Sequence, residues 1–323
     1  MYVDLTEPEL WRYRSSYAEP EDFDAFWSRT LDDAARHPIA VTATPVKSPL
    51  ATVEVHDITF AGFGGHPVRG WLYVPVGIEP SGVGVVQYQG YGGGRGHHLE
   101  HLLWSAAGHV HLMMDSRGQG AAYRRGATAD PVGTDGPAIP GVMTRGIESP
   151  DSYYYRRLYV DAVRAVDALR ELSPVVLGRV VTVGASQGGA LSLAAAALRD
   201  DVAAAVALVP FMCDIRRAST ITDREPYKEI GRYLVTMRDR VEEVFGTLGY
   251  FDGVGLARRI TCPTLISAAL MDATCPPSTV FGAYHELAGP KEISVWTYNS
   301  HEGGGPDDDE RALRFVAERA AGR

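Results

Sequence analysis

Cysteine is scarce in this sequence: three in 323 residues, Cys213, Cys262 and Cys275. The number is odd and the spacing fits no metal-binding pattern, so neither a disulfide framework nor a metal module is expected. Free cysteines usually behave as small buried residues, and these suit a reducing compartment. Long apolar runs are missing too. No stretch approaches the ~18 residues that a membrane span needs. The opening residues Met1-Tyr2-Val3-Asp4-Leu5-Thr6-Glu7 hold neither a basic nor an apolar segment, so no signal peptide is expected and the reading is cytoplasmic. Positive charge is not in excess either. Lys+Arg 31 against Asp+Glu 40 leaves a net charge of −9, which argues against nucleic acid and anionic membrane as partners. Internal repeats and low-complexity linkers are lacking.

What is present is the composition of an ordinary soluble globular chain, 45% hydrophobic and 22% charged, long enough to bury a full core. From Asp22 to Ala35, the residues Phe23, Phe26, Trp27, Thr30, Leu31 and Ala34 make one apolar helical face. Residues 1–50 therefore read as an N-terminal helical extension. Val53–Ala61 and Gly70–Val74 form a hairpin-like antiparallel start. The runs Val83–Tyr88, Val110–Asp115, Val180–Val183, Val202–Val209, Thr264–Leu270 and Ile293–Tyr298 read as strands. Helices are expected over His98–Ala107, around Leu158–Leu172, after Gly189, over Phe281–Ala288 and over Glu310–Ala321. Buried strands alternating with helices imply an α/β fold, a mostly parallel sheet covered on both faces. Residues 212–256 read as a small helical cap inserted into this single domain of residues 1–323. Arg117–Ile147 shows no periodicity. It is apolar at Tyr123, Val132, Ile139, Val142, Met143 and Ile147 and stiffened by prolines, so an exposed contact loop is expected there.

The stretch Val180 to Ala190 reads V-V-T-V-G-A-S-Q-G-G-A. A β-branched run ends at Gly184, Ser186 follows, and an alanine-rich run begins after Gly189. This is strand, sharp turn and helix around G-x-S-x-G, the nucleophile elbow of an α/β-hydrolase fold. Side chains at Gly184 or Gly188 would crowd the serine. The helix that follows points its N-terminus at developing negative charge.

A serine hydroxyl needs a base, and the base needs an orienting carboxylate. In this fold they follow the serine in the order acid, then histidine, on loops after later strands. Asp272 follows the strand Thr264–Leu270, and His301 follows Ile293–Tyr298. Asp252 and Glu302 are rivals for the acid. His97, His98, His101, His109 and His111 precede the serine and lie in the wrong place for the base. A cysteine nucleophile fails, because no cysteine occupies a turn apex. Two N–H donors are needed for the oxyanion. Gln187, after the nucleophile, supplies one. Tyr91, between Gly90 and Gly92, supplies the other, since the glycines permit close backbone approach. The Gly-rich loop lacks the pattern of a phosphate cradle. Arg117 either binds a substrate carboxylate or pairs with Asp115 or Asp151 to hold loops in place; the structural role is favoured.

Together these motifs resemble the acetyl xylan esterase / cephalosporin C deacetylase family, carbohydrate esterase family 7. The resemblance is carried by Arg117-Gly118-Gln119, Gly184-Ala185-Ser186-Gln187-Gly188 and His301-Glu302. Pro20-Glu21-Asp22-Phe23-Asp24, Gly90-Tyr91-Gly92-Gly93-Gly94-Arg95-Gly96 and Cys275-Pro276-Pro277-Ser278-Thr279 are similar too. It implies Ser186, Asp272 and His301 as the triad and Tyr91 and Gln187 as the oxyanion hole. It implies Tyr91 and Pro226 as walls of a small acyl pocket. It also implies deacetylation of acetylated xylo-oligosaccharides and cephalosporin C, no metal or cofactor, and a homo-hexamer; the apolar Arg117–Ile147 loop is expected among its contacts. One departure is Gln89, where the family has histidine; a changed pocket rim is expected from it. Other hydrolase activities on the same fold, peptidase or thioesterase, and a non-catalytic binding protein are the competing readings.

Overall fold

The structure, a computed structural model, describes residues 2–133 and 136–320. Nine strands make one sheet: β1 (Thr42–Pro45), β2 (Val53–Ala61), β3 (Pro67–Pro75), β4 (Val83–Tyr88), β5 (Val110–Met114), β6 (Arg179–Ala185), β7 (Val202–Leu208), β8 (Thr264–Ala269) and β9 (Lys291–Trp296). Their order is β1-β2-β3-β5-β4-β6-β7-β8-β9. The first four in that order pair antiparallel. From β5 onward every pairing is parallel. This is the α/β-hydrolase sheet expected from the sequence.

The helices are α1 (Glu7–Leu10), α2 (Phe23–Ala35), α3 (Leu103–Ala106), α4 (Tyr154–Leu172), α5 (Gln187–Ala197), α6 (Ile215–Ile221), α7 (Tyr227–Thr236), α8 (Val241–Gly249), α9 (Gly253–Ala257), α10 (Pro277–Glu286) and α11 (Pro306–Phe315). Period-two alternation along the central strands feeds two cores. Val83, Val85, Val181, Val183, Ala204 and Val206 pack with Ala312 and Phe315 of α11. Val86, Tyr88, Val180, Ala205 and Ala207 face the other way, into the larger core that holds α4 and α5. Among the described residues, no helix is long and apolar enough to cross a membrane.

Three expectations are corrected. The helix expected over His98–Ala107 is only α3, because His101 adopts φ 60 and the Glu100 carboxylate folds back onto the His97 N–H at 2.7 Å. A left-handed residue ends any helical run. The strand β1 was not expected; all four of its residues are exposed, so it carries no alternation. The closing helix starts earlier, at Pro306, whose fixed φ suits the first helical position; Ala321 lies outside the described residues.

The long stretch after Arg117 has neither helix nor strand until Tyr154, as expected. It is not an exposed apolar surface, however. Val142, Met143 and Ile147 are buried in the chain's own main core. Tyr123 is 57% exposed, and Thr134 and Asp135 lie outside the described residues. The segment 212–256 folds into α6 to α9. Its two ends are stitched by Asp252, which is buried and accepts N–H bonds from Asp214 (2.9 Å), Ile215 (2.7 Å) and Val254 (2.9 Å). Gly253 N donates to Met212 O at 2.7 Å across the same junction.

Candidate active site

Ser186 joins β6 to α5 with φ 56 and ψ −120. A non-glycine residue there is strained, so the surroundings must hold it. Its N–H donates to Leu208 O at 2.9 Å, and its carbonyl accepts from Phe211 N at 3.0 Å and Ala190 N at 3.1 Å. The glycine spacing is a steric demand. A Cβ on Gly184 would meet the Gly188 carbonyl at 2.3 Å, and one on Gly188 would meet Tyr88 O at 2.3 Å. The segment after β7 also turns sharply, with φ 39 at Val209, 59 at Met212 and 45 at Asp214. It brings Phe211 beside the elbow.

His301 and Asp272 meet as the chain order predicts. His301 Nδ1 lies 2.8 Å from Asp272 Oδ2. The other Asp272 oxygen accepts N–H bonds from Thr274 (2.8 Å) and Cys275 (2.9 Å), which fixes the carboxylate on its own turn. Asp272 is fully buried, while His301 is about one third exposed at its side chain (32%). The Ser186 side chain acts on the Cys275 thiol, lowering its pKa against the larger, opposite effect of burial. The Cys275 sulfur lies within 4.8 Å of the facing donor atoms of Asp272 and His301. Cys275 therefore adjoins the Asp272–His301 pair. The rival acids are elsewhere: Asp252 closes the cap junction, where burial pushes its pKa up to about 7, and Glu302 accepts from Asn299 Nδ2 (3.2 Å) and Ser300 N (3.1 Å) at the surface.

Asp272, Cys275 and His301 also form the one grouping of metal-type donors among the described residues. It suits a metal poorly. The Asp–His pair is already hydrogen-bonded, and burial pushes the Cys275 thiol well above its usual pKa, away from the thiolate a metal requires.

Tyr91 and Gln187 lie on either side of a network that sequence reasoning missed. Gln119 Oε1 accepts the Gly92 N–H at 2.7 Å, and Gln119 Nε2 donates to Tyr154 Oη (2.8 Å) and Gln187 Oε1 (3.0 Å). Gln187 Oε1 also accepts from Tyr155 Oη at 2.9 Å, and its Nε2 donates to Gln89 O at 3.3 Å. The two motif glutamines thus grip the backbone just before and just after Tyr91. The signal in the sequence was the pair of glutamines in Arg-Gly-Gln and Ser-Gln-Gly; nothing in it said that they would touch.

Arg117 is wholly buried. Its Nε and Nη2 hold Asp161 at 2.5 and 2.7 Å, with Asp130 at 3.4 Å. The structural role is right, but the partners are neither Asp115 nor Asp151. Asp115 instead accepts backbone N–H bonds from Arg95 (2.8 Å) and Ala127 (2.6 Å). Gln89, at the departure from the family pattern, turns its side chain inward. It is buried, with Nε2 3.3 Å from both His101 Nε2 and Met113 Sδ. Pro226 is buried at the start of α7, three residues before Glu229, whose carboxylate accepts the Tyr91 hydroxyl at 2.6 Å. The Tyr91 ring stands edge-on to Phe211 with centroids 6.2 Å apart. Asp308 fastens the His301 loop, taking Gly304 N at 2.8 Å and Trp296 Nε1 at 3.0 Å.

An acetyl xylan esterase from Paenibacillus sp. R4 superposes with a TM-score of 0.90 at 37% identity, covering 97% of this chain and 99% of that one. Acetyl xylan esterase 1 from Thermoanaerobacterium sp. JW/SL YS485 superposes with a TM-score of 0.88 at 30% identity, covering 98% and 100%. An acetyl esterase, Axe7A, of Xylanibacter ruminicola is 30% identical over 291 residues, covering 87% of this chain. The chain spans 63% of the length of that relative. Residues 1–319 match the family described as acetyl xylan esterase (AXE1), and the chain belongs to that family of ester hydrolases.

Proposed function

We propose that this protein is a serine esterase that removes acetyl groups from small acetylated carbohydrates, xylo-oligosaccharides among them, and from cephalosporin C-like esters. The observation that carries the reading is the Asp272–His301 pair at 2.8 Å, in a chain whose strand-to-helix elbow carries Ser186 at φ 56. In this mechanism His301 takes the Ser186 proton as Oγ attacks the acetyl carbonyl. Asp272 holds the ring so that Nδ1 carries its proton and Nε2 is free to accept. The backbone N–H groups of Tyr91 and Gln187 receive the oxyanion. The proton on His301 passes to the sugar oxygen, which leaves. Water then repeats the cycle on the acyl-enzyme and releases acetate. Tyr91, Phe211 and Pro226 bound the acyl side.

The expected outcome for Ser186→Ala is a folded protein with only the residual acceleration, about 10³–10⁴ over water, that binding and oxyanion contacts leave. An organophosphate should label Ser186 and no other serine in the wild type. Full 4-nitrophenyl acetate hydrolysis by the alanine variant, or a label elsewhere, ends this reading. We further propose a cytoplasmic homo-hexamer. Its support is the family resemblance, since the apolar loop residues Val142, Met143 and Ile147 pack inside the subunit. Light scattering tests it: a mass that stays near 35.0 kDa on concentration removes the hexamer.

A further inference from the structure

Glu229 is a carboxylate where packing alone would be served by a hydrocarbon. It sits on α7 of the cap, 4% exposed, and burial pushes its carboxyl above the usual range. Both oxygens are in use. Oε1 accepts the Tyr91 hydroxyl at 2.6 Å, and Oε2 accepts Met143 N–H at 3.0 Å. The Tyr91 oxygen in turn accepts Val142 N–H at 2.7 Å, so its own proton must go to Glu229. Three segments far apart in the chain therefore close on one carboxylate: the loop after β4, the 141–143 turn and the cap helix. The turn is shaped for this approach. Gly141 has φ 121, and a Cβ there would fall 2.2 Å from Glu229 Oε2.

We propose that Glu229 is a positioning residue for ester hydrolysis, holding Tyr91 from the cap so that its backbone N–H stays aimed at the oxyanion. The inference rests on the esterase reading and on Tyr91 as an oxyanion donor. The Gly92 N–H bond to Gln119 fixes the backbone on one side of Tyr91; the hydroxyl bond to Glu229 fixes the other end of the same residue. An oxyanion donor works by being in place before charge develops. A displacement of about 1 Å costs on the order of a hundredfold. This assignment also gives the irregular 117–147 segment a task inside the subunit: its 141–143 turn supplies the two N–H groups that complete the clamp.

Glu229→Gln keeps the side-chain shape but turns one acceptor into a donor that faces either the Met143 N–H or the Tyr91 hydroxyl. Tyr91→Phe keeps the ring and the backbone N–H and deletes the link. Wild-type turnover of 4-nitrophenyl acetate is measured first and tests the esterase reading alone. Each variant should then show kcat lowered about ten- to hundredfold with KM within about twofold. The double variant should fall no further than the worse single, because both break one link. Amide hydrogen exchange over residues 90–94 should quicken in Glu229→Gln, a readout that needs no catalysis. A purely structural Glu229 would lower the thermal midpoint and leave kcat per folded molecule and that exchange unchanged; this result overturns the inference. So does a raised KM with kcat intact.

Discussion

Replacing Asp272 with asparagine tests the catalytic dyad through a single atom. One carboxylate oxygen holds two backbone N–H groups, Thr274 at 2.8 Å and Cys275 at 2.9 Å, and the other faces His301 Nδ1 at 2.8 Å. An amide can satisfy only one of these sides as acceptor. With its NH2 turned to the turn, two backbone donors, one buried and one part-buried, would lose their partner at about 1–3 kcal/mol each. That exceeds the ~1.4 kcal/mol that makes a tenfold preference. The amide oxygen therefore stays on the turn, and its NH2 faces His301. Nδ1 must then accept, which puts the ring hydrogen on Nε2 and leaves the ring unable to take the Ser186 proton. The expected loss is about 10⁴ in kcat, or roughly 5 kcal/mol at ~1.36 kcal/mol per factor of ten. Stability should change little, because the turn keeps both bonds. The assay is kcat on an acetate ester beside a thermal midpoint for each variant. Glu302→Gln is the control, since its carboxylate is tied to Asn299 and Ser300 at the surface. Asp272→Asn retaining more than about a tenth of wild-type turnover would refute the tautomer argument. A larger loss in Glu302→Gln would mean that the acid is misassigned.

Acyl length should matter. On the proposed reading Tyr91, Phe211 and Pro226 bound a small acyl site, and overfilling a packed site costs ~1–3 kcal/mol, so butyrate esters should fall roughly ten- to hundredfold below acetate esters in kcat/KM; equal rates on acetate and octanoate would contradict this. Asp161→Asn should unfold the protein more readily, because Arg117 is 0% exposed and would lose its close carboxylate, keeping one amide oxygen and, as its remaining anion, Asp130 at 3.4 Å. Breaking a buried pair costs up to about 3–5 kcal/mol; at about 2.1 cal/mol/K per residue over 323 residues, the thermal midpoint should drop by up to roughly 4–7 °C. A calorimetric midpoint within a degree of wild type would show that Asp130 suffices.

The sequence by itself determined the features set by short-range chemistry. Apolar runs specified eight of the nine strands; for the central ones, a strand buried on both faces has little else to be. The glycines around Ser186 specified the elbow, because a Cβ at either place would strike backbone at 2.3 Å. Chain order marked Asp272 and His301, because loops at the strand ends are where side chains can meet the elbow. The exposed strand β1 and the short α3 were illegible, since one has no buried face and the other is cut by a left-handed histidine. Tertiary structure alone decided the partners. Arg117 takes Asp161, 44 residues away; Gln119 takes Gln187, 68 away; Tyr91 takes Glu229, 138 away. No local pattern encodes these choices, because a buried polar group needs some partner and only the packed chain settles which one lies within 3 Å.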